Sequence, residues 1–242
     1  MQSLTFYIVD VFAVDKYTGN QLAVFTDAAA LSEQEMQRLA KEINYSETTF
    51  ITSKEPQNGG YNVRIFTPEK ELPFAGHPTL GTAYIIQQTL LNQAIDTLKL
   101  NLKVGQIPVT WQNLDELGEV LWMRQNSPTF HQKLEASAIN QVLSLPVDDI
   151  DTRFPIQEVS TGIPFIIVPL KNNEFLKQIR VNRDKYFELV ATTQSQEILV
   201  FCPETYDKKN QLSVRVFAES LGIPEDPATG SANGCLAGYL AE

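Results

Sequence analysis

One stretch limits the possible folds more than any other. Residues 73–86 begin Pro-Phe-Ala-Gly-His-Pro and continue with side chains that are apolar or small on nearly every side. Pro78 suits the first helical position because its fixed φ is already helical and its missing N–H would have no partner there. His77 is then expected at the N-cap, and Gly81 lets strands approach closely. A helix without a polar face is normally wrapped by other elements, so we predict a central helix over residues 77–91.

The same pattern returns near the C-terminus. Arg64-Ile65-Phe66 followed by Gly76 is echoed by Arg215-Val216-Phe217 followed by Gly230. A second run of small and apolar residues, 230–241, follows this glycine. Both copies indicate a strand, a loop, a glycine and a buried helix, which favours a duplicated architecture.

The repeat predicts the fold class. We expect an α+β fold of two pseudo-symmetric halves, each a barrel-like, mostly antiparallel sheet around a central apolar helix. The halves are residues 1–114 and 115–242, because the polar segment 112–118 is the least structured in mid-chain. The other expected elements are strands 4–14 and 21–26, helix 32–44, strands 48–52, 61–66, 97–103, 107–112 and 119–123, helix 134–143, strand 165–168, helix 183–191, and strands 198–201 and 213–217.

Composition limits the possible partners. The chain has 242 residues, 43% of them hydrophobic, and a formal net charge of −10. Nucleic acid and anionic membranes are poor partners for such a chain, because binding them depends on Lys and Arg. A small molecule is the expected ligand. Cys202 and Cys235 are too few for a disulfide framework, and the N-terminus lacks the pattern of a signal peptide, so we expect a cytoplasmic protein.

Four polar residues are candidates for a site, although each has an ordinary structural explanation. Glu47 follows the predicted helix 32–44 at a junction where side chains can point into a cleft, but most such carboxylates are solvated. Asp226 before a proline is usually a turn former. His77 and Ser231 could simply start their helices. Two buried helices that start at matching positions could, however, face each other and hold a carboxylate between them.

Several segments carry a resemblance, in this order along the chain: Val9–Phe12 with Gly19-Asn20, Asn44–Thr48, Phe66–Pro68 with Glu71, Gly76–Gly81, and Asp226–Ala232. Together they resemble the phenazine-biosynthesis PhzF family of isomerases. The resemblance implies the diaminopimelate-epimerase-like fold, in which two halves are related by a pseudo-two-fold axis and the active site lies between them. This fold agrees with the repeat.

The resemblance also implies the roles of single residues. Glu47 matches the catalytic acid/base, which moves a proton between carbon atoms of dihydro-hydroxyanthranilate in the phenazine enzyme. The positions that match substrate contacts are Gly76, His77, Asp226, Gly230 and Ser231. The implied substrate is a small cyclic or aromatic-type carboxylic acid, and no cofactor or metal is needed. The sequence agrees, since its two histidines and its acidic residues show no metal-like spacing and no dinucleotide fingerprint is present. We interpret His131 as incidental.

Two alternatives remain open. A two-base epimerase or racemase of the same fold would use a pair of facing cysteines, but Cys202 and Cys235 both resemble small core hydrophobic residues. Alkylation with iodoacetamide that leaves turnover intact would exclude it. A non-catalytic protein could instead bind a small aromatic acid, and it would show affinity without incorporating solvent deuterium into the ligand.

The two copies of the repeat end differently. Strands 97–103 and 107–112 are expected to cover the first helix, whereas the sequence stops at Glu242, directly after the second. Family members usually continue through several more strands. The sequence therefore predicts either a homodimer whose contact lies against the open side of the second half, or a fragment of reduced stability.

Overall fold

The structure is a computed structural model that describes residues 3–115 and 118–242. The chain divides into two compact units, Met1–Arg124 and Gln125–Glu242. Each unit has its own sheet and its own central helix.

The described residues of the first unit form eight strands, which make one sheet in the order β1-β2-β3-β4-β6-β7-β8 with β5 pairing with β4. Every strand predicted for this part of the chain is found, with small differences at the ends. The elements are β1 (Phe6–Val11), β2 (Asn20–Phe25), α1 (Glu33–Ile43), β3 (Glu47–Ile51), β4 (Tyr61–Phe66), β5 (Glu71–Leu72), α2 (Gly76–Ile86), β6 (Thr97–Leu102), β7 (Gly105–Leu114) and β8 (Gly118–Met123).

The boundary predicted after Leu114, which separated residues 1–114 from 115–242, falls inside the first unit. β7 and β8 pair antiparallel with Leu114 opposite Gly118, so they form a hairpin. Of the polar segment 112–118, the described residues 112–115 and 118 therefore belong to this hairpin and not to a linker between halves. Glu116 and Leu117, which belong to that segment, lie outside the described residues.

The sheet of the first unit wraps around α2, as the absence of a polar face predicts. The helix packs against six strands, from β1 at one edge of the sheet to β8 at the other, and a π-helical turn, Gln87–Leu91, continues it. Gly81 permits β1 and β2 to approach the helix closely, because a Cβ atom there would lie 2.7 Å from Cδ2 of Leu22 and 2.9 Å from Cγ2 of Val11.

The prediction that His77 is the N-cap of this helix and Pro78 its first residue is wrong. Ala75 is the N-cap, so Gly76, His77 and Pro78 form the first turn. A proline is tolerated throughout that turn because the first N–H groups have no acceptor within the helix. The N–H and the hydroxyl group of Thr79 both donate to the carbonyl oxygen of Ala75, at 3.3 and 2.7 Å.

β3 separates two layers of the first unit. Ser32 caps α1 through a capping box with Glu35, and this helix covers one face of β3, where Phe50 packs. Side chains alternate along a strand, so Thr49 points to the opposite face, where its hydroxyl group lies 2.8 Å from that of Thr82 in α2. Glu47 shares the face of Thr49 and therefore points toward α2.

The second unit contains six strands and four α-helices, and its sheet has the order β14-β13-β12-β11-β10-β9. The elements are β9 (Thr129–Leu134), α3 (Ala136–Leu143), β10 (Ile156–Ser160), β11 (Pro164–Pro169), α4 (Asn173–Gln178), α5 (Arg183–Val190), β12 (Glu197–Cys202), β13 (Ser213–Ala218), β14 (Ile223–Asp226) and α6 (Gly230–Ala241). The sequence did not predict β9, β10, α4 and β14. The second central helix has the predicted bounds.

The two units repeat the same order of elements. β2 and β3 are parallel neighbours with a helix between them in sequence, and β11 and β12 are parallel neighbours with two. In each unit the second of these strands pairs antiparallel with the next strand, and a short strand and the central helix follow.

An arginine ion pair occurs in each copy of the repeat. Arg64 binds both carboxylate oxygens of Glu71, at 2.7 and 2.6 Å, and Arg215 binds both oxygens of Glu225, each at 2.7 Å. Each guanidinium group also lies over the phenylalanine ring two residues later, at 5.1 and 5.0 Å from the ring centre. The matched tripeptides of the sequence therefore correspond to matched structures.

The central helices differ in how far they are covered. α6 packs mainly on β10 and β11, and it exposes a side that carries Asn233, Ala237 and Leu240. The described strands of the second unit include no counterparts of β6, β7 and β8 beside β13. That a second copy of the chain covers this side stays a prediction.

Candidate active site

Two of the predicted site residues meet in the first unit. Glu47 is the first residue of β3 and only 9% exposed, and His77 lies in the first turn of α2 and is only 3% exposed. Nε2 of His77 is 3.6 Å from Oε2 of Glu47. A buried carboxyl group thus lies beside a buried imidazole at the start of an apolar helix.

The local sequence explains this placement of Glu47. α1 ends at Asn44, which has a left-handed backbone conformation (φ 57°), and two residues lead into β3. Glu47 pairs in register with Leu22 of β2. The contact between the hydroxyl groups of Thr49 and Thr82, two residues further along β3, joins this strand to α2. The strand that carries Glu47 and the helix that carries His77 are therefore held together by a buried polar contact.

Three further predicted residues are grouped in the second unit. Asp226 ends β14, Gly230 begins α6, and Ser231 follows it; Asp226 and Ser231 are both buried. The hydroxyl group of Thr229 donates a hydrogen bond to the carboxylate of Asp226. Sequence reasoning missed Thr229, although a hydroxyl residue three positions after an aspartate is typical of a side-chain-stabilised turn.

Neither central helix has a side-chain cap at its N-terminus. The N-cap residue of α2 is Ala75, which has no side-chain acceptor, and the hydroxyl group of Thr229 is used by Asp226. The first N–H groups of a helix point away from its body and carry partial positive charge. Gly76 and Gly230 therefore begin helices whose ends can bind an anionic group.

Both cysteines have the properties of core residues. Cys202 and Cys235 are fully buried, and burial raises the pKa of each thiol. Each Sγ atom contacts a backbone carbonyl oxygen, of Glu204 at 3.4 Å and of Ile163 at 3.5 Å. A cysteine base must form a thiolate, so these environments disfavour the two-cysteine epimerase mechanism.

In residues 3–115 and 118–242, no three or more His, Cys, Asp and Glu side chains are grouped so that they could hold a metal ion. No helix in the same residues has the length and apolar character that a membrane span requires. His131, interpreted as incidental, lies 3.3 Å through Nε2 from the hydroxyl group of Thr129.

The family described as phenazine biosynthesis-like protein, PhzC-PhzF, matches residues 9–242. The chain belongs to this family. The family predicted from the sequence is therefore confirmed.

Relatives of the PhzF family cover nearly the whole chain. An uncharacterised isomerase of Clostridium acetobutylicum is 31% identical over 239 residues, which are 97% of this chain and 78% of the relative. The trans-2,3-dihydro-3-hydroxyanthranilate isomerase of Pseudomonas aeruginosa is 33% identical over 236 residues, 98% of this chain and 79% of that protein. The chain is thus similar to isomerases throughout its length.

Solved structures lead to the same conclusion. A PhzF-family protein of Bacillus anthracis matches with a TM-score of 0.91 at 30% identity, covering 100% of this chain and 81% of that chain. A hydroxyproline epimerase from Agrobacterium vitis, 7% identical, matches with a TM-score of 0.63 over 98% of this chain and 76% of that one, and this likeness shows the fold alone. The predicted epimerase-like α+β fold and the isomerase class are confirmed.

Proposed function

We propose that this PhzF-family isomerase moves a proton between carbon atoms of a small cyclic carboxylic acid, with Glu47 as general acid/base and without a cofactor. The observation that carries the proposal is the buried Glu47 carboxyl group, whose Oε2 atom lies 3.6 Å from Nε2 of His77 at the start of α2. A buried carboxyl group beside a helix N-terminus can exchange a proton with a ligand whose own carboxylate is bound by that N-terminus.

The proposed reaction needs no oxidant or reductant. The Glu47 carboxylate takes a proton from one carbon, and the electron pair of the broken C–H bond joins the neighbouring double bond. The carboxylic acid then returns the proton to a different carbon of the same conjugated system, and the double bond shifts. N–H groups at the start of α2 would stabilise the negative charge that spreads into the ligand carboxylate between the two steps.

The name of a relative supports the proposed substrate class. The substrate in that relative's name, trans-2,3-dihydro-3-hydroxyanthranilate, carries a carboxylate, a hydroxyl and an amino group. We assign ligand contacts to Gly76, His77, Asp226, Gly230 and Ser231. The buried Asp226 carboxylate suits the amino group, because a carboxylate accepts short hydrogen bonds from such a donor. The N–H groups at Gly76 and Gly230 suit the carboxylate.

Turnover in D2O tests the reaction. The wild-type chain, incubated with trans-2,3-dihydro-3-hydroxyanthranilate in D2O, is expected to give an isomer that carries deuterium at the carbon that receives the proton. Mass spectrometry and proton NMR measure this deuterium. A chain that binds the compound, or its aromatic analogue 3-hydroxyanthranilate, but incorporates no deuterium into either would be a binding protein. A chain that neither binds nor converts either compound would show that the substrate class is wrong.

Asp226→Asn tests the ligand contacts. Loss of one charge-assisted hydrogen bond is expected to weaken binding of 3-hydroxyanthranilate by about ten- to a hundredfold, since such a bond contributes about 1.5–3 kcal/mol. Isothermal titration calorimetry measures the Kd. The control is 3-hydroxybenzoate, which lacks the amino group and should bind equally to the wild-type chain and the variant. Equal weakening for both ligands would contradict the contact between Asp226 and the amino group.

A further inference from the structure

Gln125, the first residue of the second unit, contacts the start of α6 through its side-chain amide. Its Nε2 atom donates to the carbonyl oxygen of Gly230 at 3.2 Å, and its Oε1 atom accepts a hydrogen bond from the Thr161 hydroxyl group at 2.9 Å. Thr161 lies directly after β10, in the connection to β11. The amide therefore joins the first residue of α6 to this connection.

The helix makes room for this amide at one position. A Cβ atom on Gly234 would lie 1.8 Å from Oε1 and 2.4 Å from Cδ of Gln125, so any larger residue at position 234 would displace the amide. Thr161 also lies 3.5 Å, through Oγ1, from Sγ of Cys235 in the next position of the helix. The Gln125 amide thus makes two hydrogen bonds and occupies the space that the missing side chain of Gly234 leaves.

The start of α6 consists mostly of small residues. Its first residues are Gly, Ser, Ala, Asn and Gly, which offer little side-chain volume for packing. Gly230 and Ser231 are also the residues that the proposed function assigns to the ligand. We propose that Gln125 is a positioning residue, which holds the first turn of α6 so that the N–H groups of Gly230 and Ser231 meet the ligand carboxylate. This inference rests on the proposed function.

The same helix offers a matched control at Gly238. A Cβ atom there would lie 2.7 Å from Cβ of Pro128, so Gly238→Ala also disturbs packing between α6 and the segment that begins with Gln125. Position 238 is eight residues beyond Gly230 and thus about 12 Å further along the helix. If Gln125 had only a structural role, Gln125→Ala and Gly238→Ala would change ligand binding alike. If Gln125 positions the first turn of α6, only Gln125→Ala weakens ligand binding.

The test compares Gln125→Ala with Gly238→Ala. Gln125→Ala is expected to weaken binding of 3-hydroxyanthranilate by about three- to tenfold, the effect of one hydrogen bond, and to raise KM more than it lowers kcat. It should also speed hydrogen exchange of the amides of Asn233 and Gly234. The acceptor of Asn233 is Thr229, and helix geometry gives Gly234 the carbonyl group of Gly230.

Gly238→Ala is expected to lower the Tm but to leave the Kd unchanged. Gln125→Asn should not restore binding, because its shorter amide cannot reach both partners. Wild-type affinity in Gln125→Ala, or equal losses in Gln125→Ala and Gly238→Ala, would overturn the inference. If the wild-type chain fails to bind or convert the ligand, the proposed function is wrong. Hydrogen exchange at Asn233 and Gly234 then decides separately whether Gln125 holds the helix.

Discussion

Replacing Glu47 with glutamine is expected to lower kcat by about 10²- to 10⁴-fold, which is what general acid–base catalysis contributes. Glutamine keeps the shape of the side chain and its place beside His77, but an amide cannot take a proton from carbon and return it. Binding of 3-hydroxyanthranilate should persist, because the proposal assigns the ligand contacts to other residues. Single-turnover conversion of trans-2,3-dihydro-3-hydroxyanthranilate, followed by absorbance, measures the loss.

The matched control is Glu158→Gln. Glu158 lies in β10 and is only 1% exposed, so it is a second buried carboxyl group on a strand. Its Oε1 atom accepts a hydrogen bond from the N–H of Ser195 at 2.7 Å, and the amide oxygen of glutamine can do the same. Activity should therefore be retained in Glu158→Gln. If Glu47→Gln keeps activity within about tenfold of the wild type, Glu47 is not the proton carrier.

The sequence predicted the central helices well because burial on every side leaves a clear pattern. Residues 230–241 contain small and apolar side chains but no charged group before the last residue of the chain, and α6 has these bounds. The strand Tyr61–Phe66 was also predicted with its exact ends, since β-branched and aromatic residues alternate there between turn residues. In both cases the local pattern and the tertiary environment agree.

The elements that were missed are those with weak local patterns. β9 is a half-exposed edge strand with the sequence TFHQKL, and its last residue, Leu134, was assigned to the following helix. β14 is an edge strand of four residues that includes Pro224, and a proline argues against a strand unless its neighbours supply the pairing. Whether such segments form strands depends on their pairing in the tertiary structure.

The candidate site likewise has features that the local sequence predicts and contacts that only the tertiary structure gives. The junction before β3 and the two helix starts were visible in the sequence, so the places of Glu47, Gly76 and Gly230 in the fold could be predicted. Their proposed roles come from the resemblance to the PhzF family. The contact between Glu47 and His77 depends on how α2 lies against β3, which the pattern alone does not give. Gln125 is 105 positions from its partner Gly230, and a single polar residue at such a separation leaves no periodic signal.

Phe50→Ala is expected to have the largest effect on stability. Phe50 is fully buried on the face of β3 that packs against α1. Its ring stacks on Phe25 with 5.0 Å between centres and meets the edge of Phe66 at 5.5 Å. Removing a buried phenylalanine ring costs about 3–5 kcal/mol, because contacts are lost and a cavity remains. The free energy of unfolding of the first unit should fall by this amount.

Urea denaturation followed by tryptophan fluorescence measures this loss, because the only two tryptophans of the chain, Trp111 and Trp122, both lie in the first unit. The control is Phe187→Ala, since Phe187 is 43% exposed and belongs to the second unit, so its loss should leave this signal nearly unchanged. Phe50 points away from the face that carries Glu47, and folded Phe50→Ala should therefore keep the kcat of the wild type. A loss below about 1 kcal/mol would contradict the tight packing of the rings, and a kcat that falls as far as in Glu47→Gln would show that the two faces of β3 are not independent.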